Sequence, residues 1–250
     1  MSIIETPPVE TEAQLREKVA VMCMMLNLQG SIGMFGHVSI RVPGTDRILI
    51  SPGAGSEKGA IKPEHVFVFD INGEILEHPG LEVPLEWRIH TQIHRDRPEI
   101  LCVAHLHARH SILLGVARQD LVPVFLHGAF LHTGVPTWDD PRLVVNDAQA
   151  AELSKALGGA VAIQQRAHGS VVVGESAELC FFRCTFLEEN ARKQVEAAVL
   201  GGAIPLTPEM AADCAKGTNN PRLLRLLWGY YRHKAEVALA NNQFSIEVEN

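Results

Sequence analysis

A chain of 250 residues, 46% of them hydrophobic, is long enough to bury a substantial core and too apolar to be disordered as its main state. A formal net charge of -7, with no run of Lys or Arg, excludes a nucleic-acid footprint or an affinity for anionic membrane surfaces, so the expected partner is a small molecule or another copy of the chain. The N-terminus lacks the features of a secretory signal and no stretch approaches the ~18 apolar residues of a membrane span; with five scattered cysteines, Cys23, Cys102, Cys180, Cys184 and Cys214, the expected location is the reducing cytoplasm.

In chain order, a Pro-containing N-terminal tail precedes "TEAQLREKVAVMCMMLNLQG", which predicts a helix opened by Thr11 or Glu12 and stopped by Gly30. "HVSIRVPGTDRILISP" predicts two strands around a Pro-Gly turn. "HVFVFDINGEILE" repeats that design around Asn72-Gly73, a strong hairpin signal. "PLEWRIHTQIHRDRP" predicts a helix closed by Pro98, with Glu86 in its first turn, followed by the strand "EILCVAHLH" and a helix over "SILLGVARQ". "LVPVFLHGAFLHTGVP" reads as strand and turn, and "DDPRLVVNDAQAAELSKALGG" ends in a helix capped by Gly158-Gly159. A last hairpin, "AVAIQQRAHGSVVVGES", leads into a long helix, "AELCFFRCTFLEENARKQVEAAVLGG", and an amphipathic C-terminal helical extension, "NPRLLRLLWGYYRHKAEVALANN". Cys180 and Cys184 could ligate a metal from one helix face, although the apolar run "LCFFRCTFL" suits buried small hydrophobes. With no repeat and no long linker, the expectation is a single domain over residues 1–250, an α/β fold with a largely antiparallel sheet between helices.

The chemistry concentrates in "CVAHLHARHS". On a strand, His105 and His107 share one face, so two imidazoles can reach one metal; alternatively they are polar residues on an exposed strand face. His168, in "RAHGSVVVG", would complete a three-ligand site that leaves a position open for substrate, or it is a turn histidine that merely hydrogen-bonds. Glu86 sits where a helix dipole favours a negative charge, and the helix runs directly into the strand of His105 and His107. A carboxylate there can move protons or join the ligands, and a proton-donating role calls for a raised pKa. His90 and His94 form a rival i, i+4 pair, but Thr91 stands where a metalloprotease helix carries Glu, so a half-buried helix face is expected. "GSIGMFGHVS" matches no nucleotide fingerprint; its amides could bind an anion or its glycines could only build a turn.

Taken in order, "GHVSIR", "ISPG", "DINGEILE", "EWRIH", "DRPEI", "VAHLHARH" and "AHGSVVVG" resemble the class II aldolase/adducin family over roughly Leu15 to Gly202. The resemblance implies a three-layer α/β/α sandwich, a homotetramer, and a divalent metal ion (Zn, Mn, Fe or Co) held by His105, His107 and His168, with Glu86 as the catalytic carboxylate that also touches the metal. It leaves His110 without a ligand counterpart, near the start of the next helix, and makes His37 and Ser51 the substrate-binding candidates.

This chain departs from the sugar-phosphate aldolases of that family, which carry Asn before "VS" and a Ser-Ser pair before the Glu. Here those places hold His37 and Pro84-Leu85, which disfavours a phosphate monoester; His37 could meet a carboxylate, more strongly if protonated. "DDPRLVV", "VVVGES" and "LEENAR" look closer to the branch that decarboxylates hydroxylated aromatic dicarboxylates such as dihydroxyphthalate. An aldolase acting on an unphosphorylated hydroxy-keto acid or sugar, and a metal-free scaffold of the adducin kind, are the alternatives. Tyr230, Tyr231 and Arg232 could reach a neighbour's site or simply pack beside Trp228.

Overall fold

Thr11 opens the first helix of the computed structural model, which describes residues 10–218 and 220–243; the expected N-terminal tail falls in residues 1–9, outside them. Its hydroxyl accepts from the Gln14 amide while the Gln14 side chain accepts from the Thr11 amide, a capping box that satisfies two otherwise orphaned donors of α1 (Glu12–Leu28). The hairpins follow as β1 (His37–Arg41) with β2 (Arg47–Ile50), and β3 (Phe67–Asp70) with β4 (Ile75–Glu77). At the second turn Gly73 has φ +95°, and a side chain there would also run into the Trp87 ring, so both backbone and space demand glycine. Asp70 closes this turn by accepting from the amides of Asn72 and Glu74.

The remaining elements are α2 (Trp87–Asp96), β5 (Cys102–Leu106), α3 (Arg109–Val116), β6 (Thr137–Trp138), α4 (Asp147–Leu157), β7 (Ala162–Gln165), β8 (Gly169–Gly174), α5 (Ala177–Glu196), α6 (Pro208–Thr218) and α7 (Pro221–Ala240). Among the described residues, eight strands form one sheet in the order β4-β3-β2-β1-β5-β8-β7-β6, antiparallel except for the β6–β7 pair. Helices cover both faces, which gives the expected α/β/α layering. Among the described residues, no helix is long and apolar enough to cross a membrane.

Strand alternation assigns the faces. Val38 and Ile40 of β1 and Cys102, Ala104 and Leu106 of β5 join the core formed with Met22 and Met25 of α1, Phe181 of α5 and Trp228 of α7. Val103 of β5 and Val171 and Val173 of β8 face the other way, against Ile89 and Ile93 of α2 and Leu153 of α4. His37, Ser39 and His105 alternate onto this second face, so the polar residues of the central strands lie under α2. Cys180 and Cys184 are buried in the first core, as small hydrophobes would be.

Two segments differ from the sequence expectation. The run after Leu121 forms a 3-10 helix, Leu126–Thr133, followed by the two-residue strand β6. Asn190 of α5 imposes this shape: its side chain accepts from Val124 N, donates to Val122 O and packs where any side chain on Gly128 would have to stand. The long helix α5 ends at Glu196 and continues as a 3-10 turn, and the separate helix α6 follows where the sequence expectation has no element.

Candidate metal centre

His105 lies on β5 between β1 and β8, deep in the sheet and fully buried. His107 stands just past the strand end, where its backbone N–H donates to Ser31 O at 2.9 Å and its ring stacks on Phe35. The alternation that puts both rings on one face brings His105 Nε2 within 3.1 Å of His107 Nε2.

His168 arrives from the β7–β8 turn, which passes through a positive φ at Ala167. The next residue must be glycine for reasons of space: a Cβ on Gly169 would sit 2.3 Å from Leu106 O and 3.2 Å from His105 Cε1. Its absence lets the turn close over β5. His168 Nδ1 donates to Pro141 O at 3.1 Å, which leaves Nε2 with its lone pair toward the site.

Glu86 is the N-cap residue of α2 rather than part of its first turn. Its Oε1 accepts from Val144 N at 2.9 Å, and its Oε2 lies 3.4 Å from His105 Nε2 and 3.5 Å from His168 Nε2. The four ligand atoms of Glu86, His105, His107 and His168 all lie within 4.8 Å of one another. Donors each ~2.1 Å from a tetrahedral ion are separated by ~3.4 Å; three of the separations here, 3.1, 3.4 and 3.5 Å, match that spacing and the rest stay within 4.8 Å. Three imidazoles and one carboxylate are also a donor set suited to Zn, Mn, Fe or Co.

The electrostatics correct one expectation. Burial alone would raise the Glu86 pKa, but the His105 and His168 rings and the Val144 amide overcome it and hold the carboxyl well below the usual carboxylate range. Glu86 is therefore ionised at neutral pH. Burial works against protonation of His168, yet the facing Glu86 carboxylate raises its pKa overall. Burial, together with the neighbouring His105 and His168, pushes His107 down to about 3. The fixed negative charge of Glu86 beside the neutral ring of His107 is what a divalent cation needs from its site.

A cavity opens beside this cluster, with His37, Glu86 and His107 exposed to it among apolar walls of Phe35, Pro84, Leu85 and Leu143. Among the described residues, no Lys or Arg lines it. The chain over Gly53 and Ala54 forms its far side, pinned by a hydrogen bond from Gly53 N to Glu82 O at 2.8 Å. The structure places the other candidates as follows. His37 is at the cavity but is buried, and desolvation, assisted by His90, depresses its pKa well below the ordinary value; it meets the cavity as a neutral ring, not as the protonated partner of a carboxylate. Ser51 is fully buried, its Oγ accepts from Val38 N at 3.0 Å, and it is not part of the cavity lining. His110 begins α3 and is paired with Glu188 of α5 at 2.7 Å, apart from the cluster.

His90 and His94 are not a half-buried helix face: both are fully buried against the sheet and hydrogen-bond to Ser39 of β1. Ser39 is not among the sequence candidates; its alternate spacing from His37 on a strand is the signal that marks it. The backbone groups of Pro141 and Val144, which orient His168 and Glu86, leave no signature in residue type.

The sequence profile described as Class II Aldolase and Adducin N-terminal domain matches residues 17–195. The 3,4-dihydroxyphthalate decarboxylase of Terrabacter sp. (strain DBF63) is 31% identical over 199 residues, 75% of this chain and 83% of that one. Among solved structures, an aldolase II superfamily protein from Pseudomonas syringae superposes with a TM-score of 0.80 at 24% identity, covering 94% of this chain and 96% of that one. The L-fuculose 1-phosphate aldolase of Glaciozyma antarctica PI12 gives 0.78 at 20% identity, with 96% of each chain covered. At such identities the two structures speak to the fold.

Proposed function

Because the chain belongs to the class II aldolase and adducin family, we propose that it is a metal-dependent lyase that removes a carboxyl group, as carbon dioxide, from a hydroxylated aromatic dicarboxylate of the dihydroxyphthalate type. His105, His107 and His168 hold the divalent ion, Glu86 borders or joins its ligands, and the working unit is a homotetramer in the cytoplasm. The observation that carries the reading is the cavity wall in front of Glu86. Pro84, Leu85, Phe35 and Leu143 offer flat apolar surface to a ring, and Pro84-Leu85 cannot donate side-chain hydrogen bonds to a phosphate. The likeness to a decarboxylase of dihydroxyphthalate supports the same choice.

The metal, when bound, supplies Lewis-acid stabilisation of the negative charge that develops beside the breaking bond. Glu86 starts ionised, so it first takes a proton: Oε2 removes the proton of a ring hydroxyl and delivers it to the ring carbon that bears the departing carboxylate. The carbon–carbon bond then breaks, its electron pair restores the aromatic ring, and the phenolate oxygen regains a proton from water. The hydrogen bond from Val144 N to Oε1 fixes the carboxylate, so that Oε2, at the edge of the histidine cluster, is the oxygen left to carry the proton.

An ionised Glu86 also suits an aldolase on an unphosphorylated hydroxy-keto acid, where it would remove a proton next to the carbonyl. Incubating the metal-loaded protein with hydroxylated phthalates and with hydroxy-keto acids separates the two. Carbon dioxide from the phthalates is the expected result, and aldehyde from the keto acids with no carbon dioxide would overturn the choice.

A further inference from the structure

Under α2 runs a continuous line of hydrogen bonds that the proposed reaction does not use. His37 Nδ1 lies 2.6 Å from His90 Nε2, His90 Nδ1 lies 2.7 Å from Ser39 Oγ, Ser39 Oγ lies 3.0 Å from His94 Nε2, and His94 Nδ1 lies 3.1 Å from Ile100 O. Ser39, His90 and His94 are fully buried and His37 is 5% exposed, so protein groups alone decide the hydrogen positions.

The far end of the line sets its direction. The Ile100 carbonyl can only accept, so His94 carries its hydrogen on Nδ1, and as a neutral ring it accepts on Nε2. Ser39 therefore donates its single hydroxyl hydrogen to His94 and accepts from His90 Nδ1–H. His90 Nε2 is then an acceptor, and the hydrogen between it and His37 must sit on His37 Nδ1. Each link leaves the next with one choice. His37 Nε2 has no hydrogen-bond partner among the described residues, and His37 lines the cavity beside Glu86 and His107. Burial keeps all three rings neutral, pushing His94 down to about 3 and the pKa values of His37 and His90 well below the ordinary one.

We propose that Ser39, His90 and His94 are positioning residues that lock His37 in the tautomer with hydrogen on Nδ1, so that its bare Nε2 accepts a hydrogen bond from a ring hydroxyl of the substrate. This deepens the reading of the substrate as a hydroxylated aromatic acid and rests on it for the identity of the donor. A fixed acceptor at this place selects for hydroxyl and against a carboxylate or phosphate oxygen, which has no hydrogen to give and would face a lone pair. The device consists of two short polar stretches, His37 and Ser39 on one strand and His90 and His94 one helical turn apart, brought together by the packing of α2 on β1.

The tautomer is read by nitrogen-15 NMR on histidine-labelled, Zn-loaded protein without substrate, the His37 signals being assigned by their loss in His37→Gln. Expected is a hydrogen-bearing Nδ1 and a bare Nε2 for His37, and appearance of the opposite tautomer in Ser39→Ala but not in Ser39→Thr, which keeps the hydroxyl. Hydrogen on His37 Nε2 in the wild-type protein, or an unchanged tautomer in Ser39→Ala, would overturn the proposal. The acceptor role is read by calorimetry with a hydroxylated aromatic acid and its counterpart carrying hydrogen in place of the hydroxyl. The wild-type protein is expected to prefer the hydroxylated ligand about tenfold more than Ser39→Ala does, the effect of one well-placed hydrogen bond. Equal preferences in the two proteins would remove His37 as acceptor. The NMR result needs no turnover, so a failure to release carbon dioxide would strike the proposed reaction and leave the tautomer standing.

Discussion

Replacing Glu86 by Gln is expected to lower turnover by roughly 10²–10⁴-fold, the usual contribution of a positioned acid–base group, while the metal content stays at the wild-type level. Gln keeps the length of the side chain and an oxygen that can still accept from Val144 N, so the tie to Val144 and the cavity wall are preserved. What it loses is the ability to take a proton at the atom that faces His105 and His168. Three histidines suffice to hold a divalent ion, so the two readouts separate. Turnover and bound metal measured on the same sample check this. Full activity in Glu86→Gln would remove Glu86 from the proton transfer, and loss of the metal along with activity would make it chiefly a ligand.

His107→Ala is expected to weaken metal binding by more than the ~10–100-fold that loss of an outer hydrogen-bond partner costs, because it deletes a proposed ligand itself. His107 is the better probe of the cluster. It stands beyond the end of β5 with part of its ring on the cavity, whereas His105 is fully buried under α2 and its truncation would also disturb packing. Titration of the metal-free protein with Zn or Mn by calorimetry, beside a far-ultraviolet circular dichroism spectrum matching the wild type, gives the answer. Wild-type affinity in His107→Ala would exclude it from the ligand set.

Local rules made the histidines of the cluster candidates, and the resemblance to the family joined them with Glu86. Period-two alternation pairs His105 with His107, and glycine after His168 announces a close backbone approach, here to Leu106 O. The order of helix and strands followed from capping residues and turn dipeptides such as Thr11 and Asn72-Gly73. Depth and charge were not readable, because they depend on partners far along the chain. The ionised state of Glu86 depends on an amide 58 residues away, and the burial of His90 and His94 depends on the sheet beneath their helix. The 3-10 helix after Leu121 follows from Asn190, more than sixty residues on, rather than from its own pattern. Ser39 looked like one polar residue in an ordinary strand; only the pairing of β1 with the helix above it reveals that it connects two histidines.

In the proposed function Glu86, His105, His107 and His168 form a metal centre that breaks a carbon–carbon bond. The most direct test is to strip the wild-type protein with a chelator, remove the chelator, and follow carbon dioxide release from a dihydroxyphthalate as a divalent metal is added back. No release is expected from the stripped protein, with recovery that saturates at one metal ion per chain. Undiminished release from the metal-free protein would contradict it.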